Sequence, residues 1–103
     1  MSFVYLLEIH LNLPDSGSLK TKRKDIVSLK EQLRSRFGVS VAETDHHDRW
    51  QRATLSAALV GGEVGAIEDA AAKVERFVES RFPDGVRFER GLRSAGEIFE
   101  GGG

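Results

Sequence analysis

The chain has 103 residues, of which 40% are hydrophobic and 30% charged, the size and balance of one ordinary globular domain. It has no cysteine, which excludes disulfides, thiolate metal sites and a cysteine nucleophile. Its net charge of −1 gives no global field to attract nucleic acid or anionic lipid.

The opening residues MSFVYLLEIH carry no basic segment ahead of their apolar run, so a strand is expected there, not a signal peptide or membrane span. A cytoplasmic, reducing location follows as an expectation. Phe3, Tyr5, Leu7, Ile9, Leu11 and Leu13 alternate with Val4, Leu6, Glu8, His10 and Asn12, a period of two that predicts one fully apolar strand face. LPDSG then supplies turn chemistry, and Ser18 is placed to cap a helix starting at Leu19. Leu19, Ile26, Leu29, Leu33 and Phe37 form its apolar stripe, and Gly38 ends it.

Val39 to Thr44 reads as a second strand and Arg52 to Val60 as a third, with Ala53, Leu55, Ala57 and Leu59 facing one way. Gly61 and Gly62 break the chain before a second amphipathic helix carrying Val64, Ile67, Ala71, Val74, Phe77 or Val78, and Phe82. Pro83 to Gly85 turns the chain into VRFERGL, a fourth alternating strand. Residues 95–103 read as a flexible tail following a single domain of residues 1–94.

The order β-α-β-β-α-β predicts an α+β, ferredoxin-like domain, a four-stranded antiparallel sheet with both helices on one face. That topology brings DSGSLKTKR and TDHHDRWQR, far apart in sequence, to the same end. Charge is segregated there: Leu19 to Phe37 holds seven basic residues against two acids. Lys20, Lys22, Arg23 and Lys24 are therefore the expected contacts for RNA phosphate or another anion, with Arg49 and Arg52 as neighbours. The amides of DSGS at the helix start could also hold an anion, unless Ser16 or Ser18 simply caps the helix.

Lys22 falls among Ile26, Leu29 and Leu33 on the apolar face. It either snorkels or joins a semi-buried ion-pair network, Lys22 or Arg23 reaching Asp45 or Asp48; the network is the favoured architecture. Asp45, His46, His47 and Asp48 are chemically able to bind zinc or manganese. Neighbours on a strand point to opposite faces, however, and a solvated hairpin tip explains them better. No metal site is expected, His46 and His47 being the only hints of one, and no cofactor.

An acid–base enzyme would use the same Asp45–Asp48 cluster with Glu43, but the chain has no nucleophile elbow and VGGEVG lacks a phosphate-loop lysine. Trp50 is expected to pack over the end of the core or against a partner. The sheet face away from the helices lacks aromatic residues for stacking bases, while Val4, Leu6, Ala42, Ala58 and Val60 suit burial against a protein or a second copy, so a homodimer is the further expectation.

SLKTKR, the run RFGVSVAE from Arg36 to Glu43, and Asp48 two residues ahead of Trp50 in WQRA together resemble the YlxP-like family of small bacterial domains of unknown function. The likeness spans roughly residues 3 to 93. It implies a ferredoxin-like fold and no known catalytic residue. Genes of that family often lie beside those of translation initiation and ribosome-binding factors, which implies a non-catalytic accessory role near the ribosomal subunit, with ribosomal RNA as partner.

Overall fold

A computed structural model describes residues 1–101. Alternation in FVYLLEIHLN forms strand β1 (Phe3–Asn12), which buries Tyr5, Leu7, Ile9 and Leu11 on one face. Helix α1 (Leu19–Phe37) begins where the Ser18 hydroxyl accepts the Thr21 N–H at 3.1 Å. It ends at Gly38, whose φ of 64° is the left-handed conformation that glycine adopts without a Cβ penalty. Strands β2 (Ser40–Asp45) and β3 (Arg52–Gly61), helix α2 (Val64–Arg81) and strand β4 (Val86–Ser94) complete the predicted order.

The sheet runs β2-β3-β1-β4, antiparallel throughout. Leu7, Ile9, Val41, Ala53, Leu55 and Ala57 meet Ile26, Leu29 and Leu33 of α1 and Ile67, Ala71, Val74 and Val78 of α2 in one core. This is the ferredoxin-like arrangement expected from the sequence. Of the two phenylalanine or valine choices on α2, Val78 is buried; Phe77 lies half-buried against Phe37 at 5.6 Å, edge to face, with the Arg36 guanidinium over its ring.

Beyond β4 the chain forms a short helix, α3 (Ala95–Gly101), an element not read from the sequence. Ser94 and Glu97 make a reciprocal capping box: Ser94 N–H donates to Glu97 Oε1 at 2.9 Å, and Glu97 N–H to Ser94 Oγ at 3.1 Å. Residues 102–103 of the expected tail lie outside the described residues. Among the described residues no helix is long and apolar enough to cross a membrane.

Candidate functional site

The two polar segments do meet. Leu13 N–H donates to Gln51 C=O at 2.8 Å, and the Gln51 amide reaches Pro14 C=O, which ties the β1–α1 loop to the β2–β3 connection. The decisive contact is made by Lys22. Its side chain is 1% exposed, the most buried charge described, and its ammonium lies 3.0 Å from Glu43 Oε2 while also donating to His46 C=O.

This corrects the expected network in two respects. The partner is Glu43, which follows Val41 on the helix-facing side of β2, and not Asp45 or Asp48, which are exposed. Lys22 is also withdrawn from the phosphate-contacting set, because a buried, paired ammonium cannot reach a ligand in solvent. Glu43 Oε2 is buried and, among the described residues, has no well-aligned hydrogen bond, so charge attraction to Lys22 alone compensates it.

His46 has φ of 62°, the only non-glycine residue described in the left-handed region. That conformation turns its carbonyl to accept both the Lys22 ammonium and the Arg49 N–H. Asp45 Oδ1 accepts His46 N–H at 2.7 Å, an Asx-type contact that shapes the tip. The imidazoles do not converge: His46 Nε2 lies 3.8 Å from Asp45, whereas His47 Nε2 bonds the backbone carbonyl of Glu43 at 3.1 Å. Among the described residues no three His, Asp or Glu side chains are grouped to hold a metal ion.

Trp50 is 49% exposed in the β2–β3 connection and is not among the core residues.

The remaining basic residues divide between two faces. Core positions Lys22, Ile26, Leu29 and Leu33 fix the inward side of α1. At about 100° per residue, Lys20, Arg23, Lys24, Lys30 and Arg34 fall on one flank about 120° wide, with Lys30 half-buried at its border with the core, Glu31 the single acid among them and Asp25 on the opposite flank. Arg34 also donates to Val41 C=O at 2.8 Å, fastening α1 to β2. Arg52 belongs elsewhere: Ala53 and Leu55 face the core, which sends Arg52 to the open face of the sheet, opposite Asn12. Arg49 is exposed in the hairpin between them.

Of the two readings of the DSGS segment, the helix cap is the one seen. Ser18 caps the helix, and the adjacent cleft of about 200 Å³ is lined by Asp15, Asp25 and Asp84 with Arg81 as its only cation. A phosphate there would meet three carboxylates.

The open face carries its own polar network, absent from the sequence reading. His10 Nε2 bonds Glu89 Oε1 at 2.8 Å and His10 Nδ1 bonds Thr54 Oγ1 at 3.3 Å. Ser56 Oγ donates to Glu8 Oε2 at 2.5 Å and lies 2.7 Å from Thr44 Oγ1. The His10 hydrogen bond first, and then the Arg87 hydrogen bond, hold the Glu89 carboxyl below its ordinary range. The other half of the face is apolar, with Leu6 44% and Val60 73% exposed. Strand parity in the sequence already puts Glu8, His10, Thr54, Ser56, Arg87 and Glu89 on the open face; the register between strands is what brings them into contact.

Fold and topology together define a ferredoxin-like α+β domain. A de novo designed protein, Foldit4, shares that architecture with a TM-score of 0.59 at 13% identity, over 91% of this chain and 98% of the designed one. Residues 4–88 match the family described as protein of unknown function (DUF503), and the chain belongs to that family. It is 33% identical over 70 residues to the uncharacterized protein YlxP of Bacillus subtilis (strain 168), covering 68% of this chain and 75% of the Bacillus protein.

Proposed function

We propose that this protein is a non-catalytic binding domain that docks on the phosphate backbone of RNA, ribosomal RNA in particular, through the outward face of α1. The supporting observation is the placement of Lys20, Arg23, Lys24 and Lys30 on one helical stripe with a single intervening acid. Such a ridge neutralises phosphates without reading bases, so its binding is strongly salt-dependent and weakly sequence-dependent. The Lys22 clip supports the reading from below, because it holds the hairpin bearing Arg49 beside the helix. The test is sedimentation of the protein in cell lysate through sucrose gradients, beside a variant with Lys20→Glu, Arg23→Glu and Lys24→Glu. Co-migration with a ribosomal subunit, weakened by salt and lost in the variant, supports the proposal. A position at the top of every gradient for both proteins refutes it.

A second reading rests on the exposure of Leu6 and Val60. These side chains, with Val4 opposite Val60 and Ala58 opposite Leu6, favour pairing of two copies through the apolar half of the sheet. Light scattering of the wild type beside a Leu6→Glu, Val60→Glu variant tests it. A dimer mass that falls to the monomer in the variant supports the dimer, and a monomer at high micromolar concentration removes it.

A further inference from the structure

At the edge of the open sheet face, on the side opposite α1, lies a shallow hollow of about 460 Å³ lined by His10, Asn12, Arg52 and Arg87 with the backbone of Gly85 and Val86. Its construction is specific. Asn12 N–H donates to Gly85 C=O at 2.9 Å, and a Cβ on Gly85 would come within 2.8 Å of the Asn12 Cβ. Glycine at 85 is what lets the β4 turn close onto the end of β1.

Arg52 on β3 is opposite Asn12 and Arg87 on β4 is opposite His10, so they flank β1 on a diagonal, roughly 12 Å apart from backbone to backbone. Two arginine side chains reaching inward can meet over the β1 backbone at that spacing. Among the described residues the Arg52 guanidinium forms no ion pair or side-chain hydrogen bond. Arg87 uses only Nη1, toward Glu89 Oε1 at 3.2 Å. His10, by contrast, has both ring nitrogens engaged, which fixes it as the floor of the hollow. The free donors facing the space are therefore one complete guanidinium fork, most of a second, and the Asn12 amide.

We propose that this hollow binds a single phosphate group, as inorganic phosphate or the terminal phosphomonoester of a larger molecule. A carboxylate offers two oxygens, which one guanidinium satisfies in bidentate fashion; a second fork and an amide match the additional oxygens of a tetrahedral dianion. The next row inward holds Glu8 opposite Glu89. The Glu89 carboxylate, held by His10 and Arg87, closes the inner end of the hollow with negative charge, so the site takes a single compact or terminal group beside Arg52 and not a stretch of nucleic-acid backbone. This site is independent of the α1 ridge, since the two lie on opposite sides of the sheet.

The experiment is a titration of the full chain with inorganic phosphate at constant ionic strength, followed by backbone amide NMR. Saturable shifts at Asn12, Gly85 and Arg87 are expected, absent with chloride. In an Arg52→Gln, Arg87→Gln variant affinity falls by about tenfold or more, as two charge-assisted forks are lost. Both residues are exposed, so the remaining spectrum of that variant reports whether the fold is intact. A Lys20→Gln, Arg23→Gln, Lys24→Gln variant keeps the shifts even if it loses RNA, which separates this site from the proposed function. Non-saturating shifts, equal shifts with chloride, or shifts unchanged in the double variant overturn the proposal. A nucleoside monophosphate and a pair of oligonucleotides with and without a 5′-phosphate then assign the source: preference for the phosphorylated oligonucleotide points to an RNA end, and equal binding of the monophosphate to a free nucleotide.

Discussion

Lys22 of α1 and Glu43 of β2 form an ion pair of 3.0 Å between side chains only 1% and 16% exposed, in the layer that otherwise holds Ile26, Leu29 and Val41. Removing one member of a buried pair strands the other charge, at a cost of about 3–5 kcal/mol. Glu43→Ala strands the more deeply buried partner and is expected to reach that range in urea unfolding. Lys22→Met costs less, because Glu43 retains a partial path to water. The double variant Lys22→Met, Glu43→Leu recovers most of the loss. Additive losses in the double variant would show that the two groups do not act as a pair.

Acid should weaken the open face through Glu89. His10 and then Arg87 hold its folded-state pKa below the ordinary value, so the unfolded chain takes up the proton more readily. Its contribution is fully present above the unfolded value of about 4.3, and is lost as pH falls through the lower folded value. Glu89→Gln should therefore melt below the wild type at neutral pH, and the two melting curves should converge as the solution is acidified past the carboxylate range. A gap that persists unchanged in strong acid contradicts the assignment.

RNA affinity should fall linearly with salt on a logarithmic plot. Each phosphate contact on single-stranded RNA contributes roughly 0.7 to the slope. Neutralising Lys20, Arg23 and Lys24 is thus expected to flatten it by about two units. A control substitution of Lys22, which is buried, should leave the slope unchanged in protein that remains folded. A slope that falls equally for Lys22 would mean that the helix opens when it binds.

Ser94→Ala removes the hydroxyl that accepts the Glu97 N–H and leaves only half of the capping box, the residue-94 backbone N–H that first among causes holds the Glu97 carboxyl below its usual range. No residue of α3 is buried. The amides of residues 96–100 should lose protection from hydrogen exchange while the melting temperature stays where it was. A matching drop in both would mean that α3 is part of the cooperative core.

Periodicity made the sheet and both long helices readable, because a one-residue slip in β1 would have placed Leu7 and Ile9 in water. The helix caps at Ser18 and Gly38 were equally legible. The Ser94-x-x-Glu97 box carried a local signal too, but short apolar content after it argued for a tail. The anchor of Lys22 was half legible: its place on the α1 stripe announced burial, while its partner was sought among the conspicuous acids of the hairpin tip. Glu43 was passed over although it shares parity with Val41, and that parity is what turns it inward. Arg52 went astray for the same reason, since nearness in sequence to Arg49 concealed that the strand sends it through to the other side of the sheet. Hydrogen-bond rows such as His10 with Glu89 depend on register between strands 79 positions apart, and no local pattern encodes that.

The left-handed turn at His46 has one last implication. What Lys22 grips at that position is a peptide oxygen, common to every amino acid, and the imidazole is a bystander. Glycine or asparagine at 46 would present the same oxygen with less torsional cost, whereas valine or isoleucine would swing it away. The hairpin is therefore docked through an atom every residue carries, so that position 46 is constrained by its backbone angle and not by its side-chain chemistry, and two chains can share this joint with different letters there.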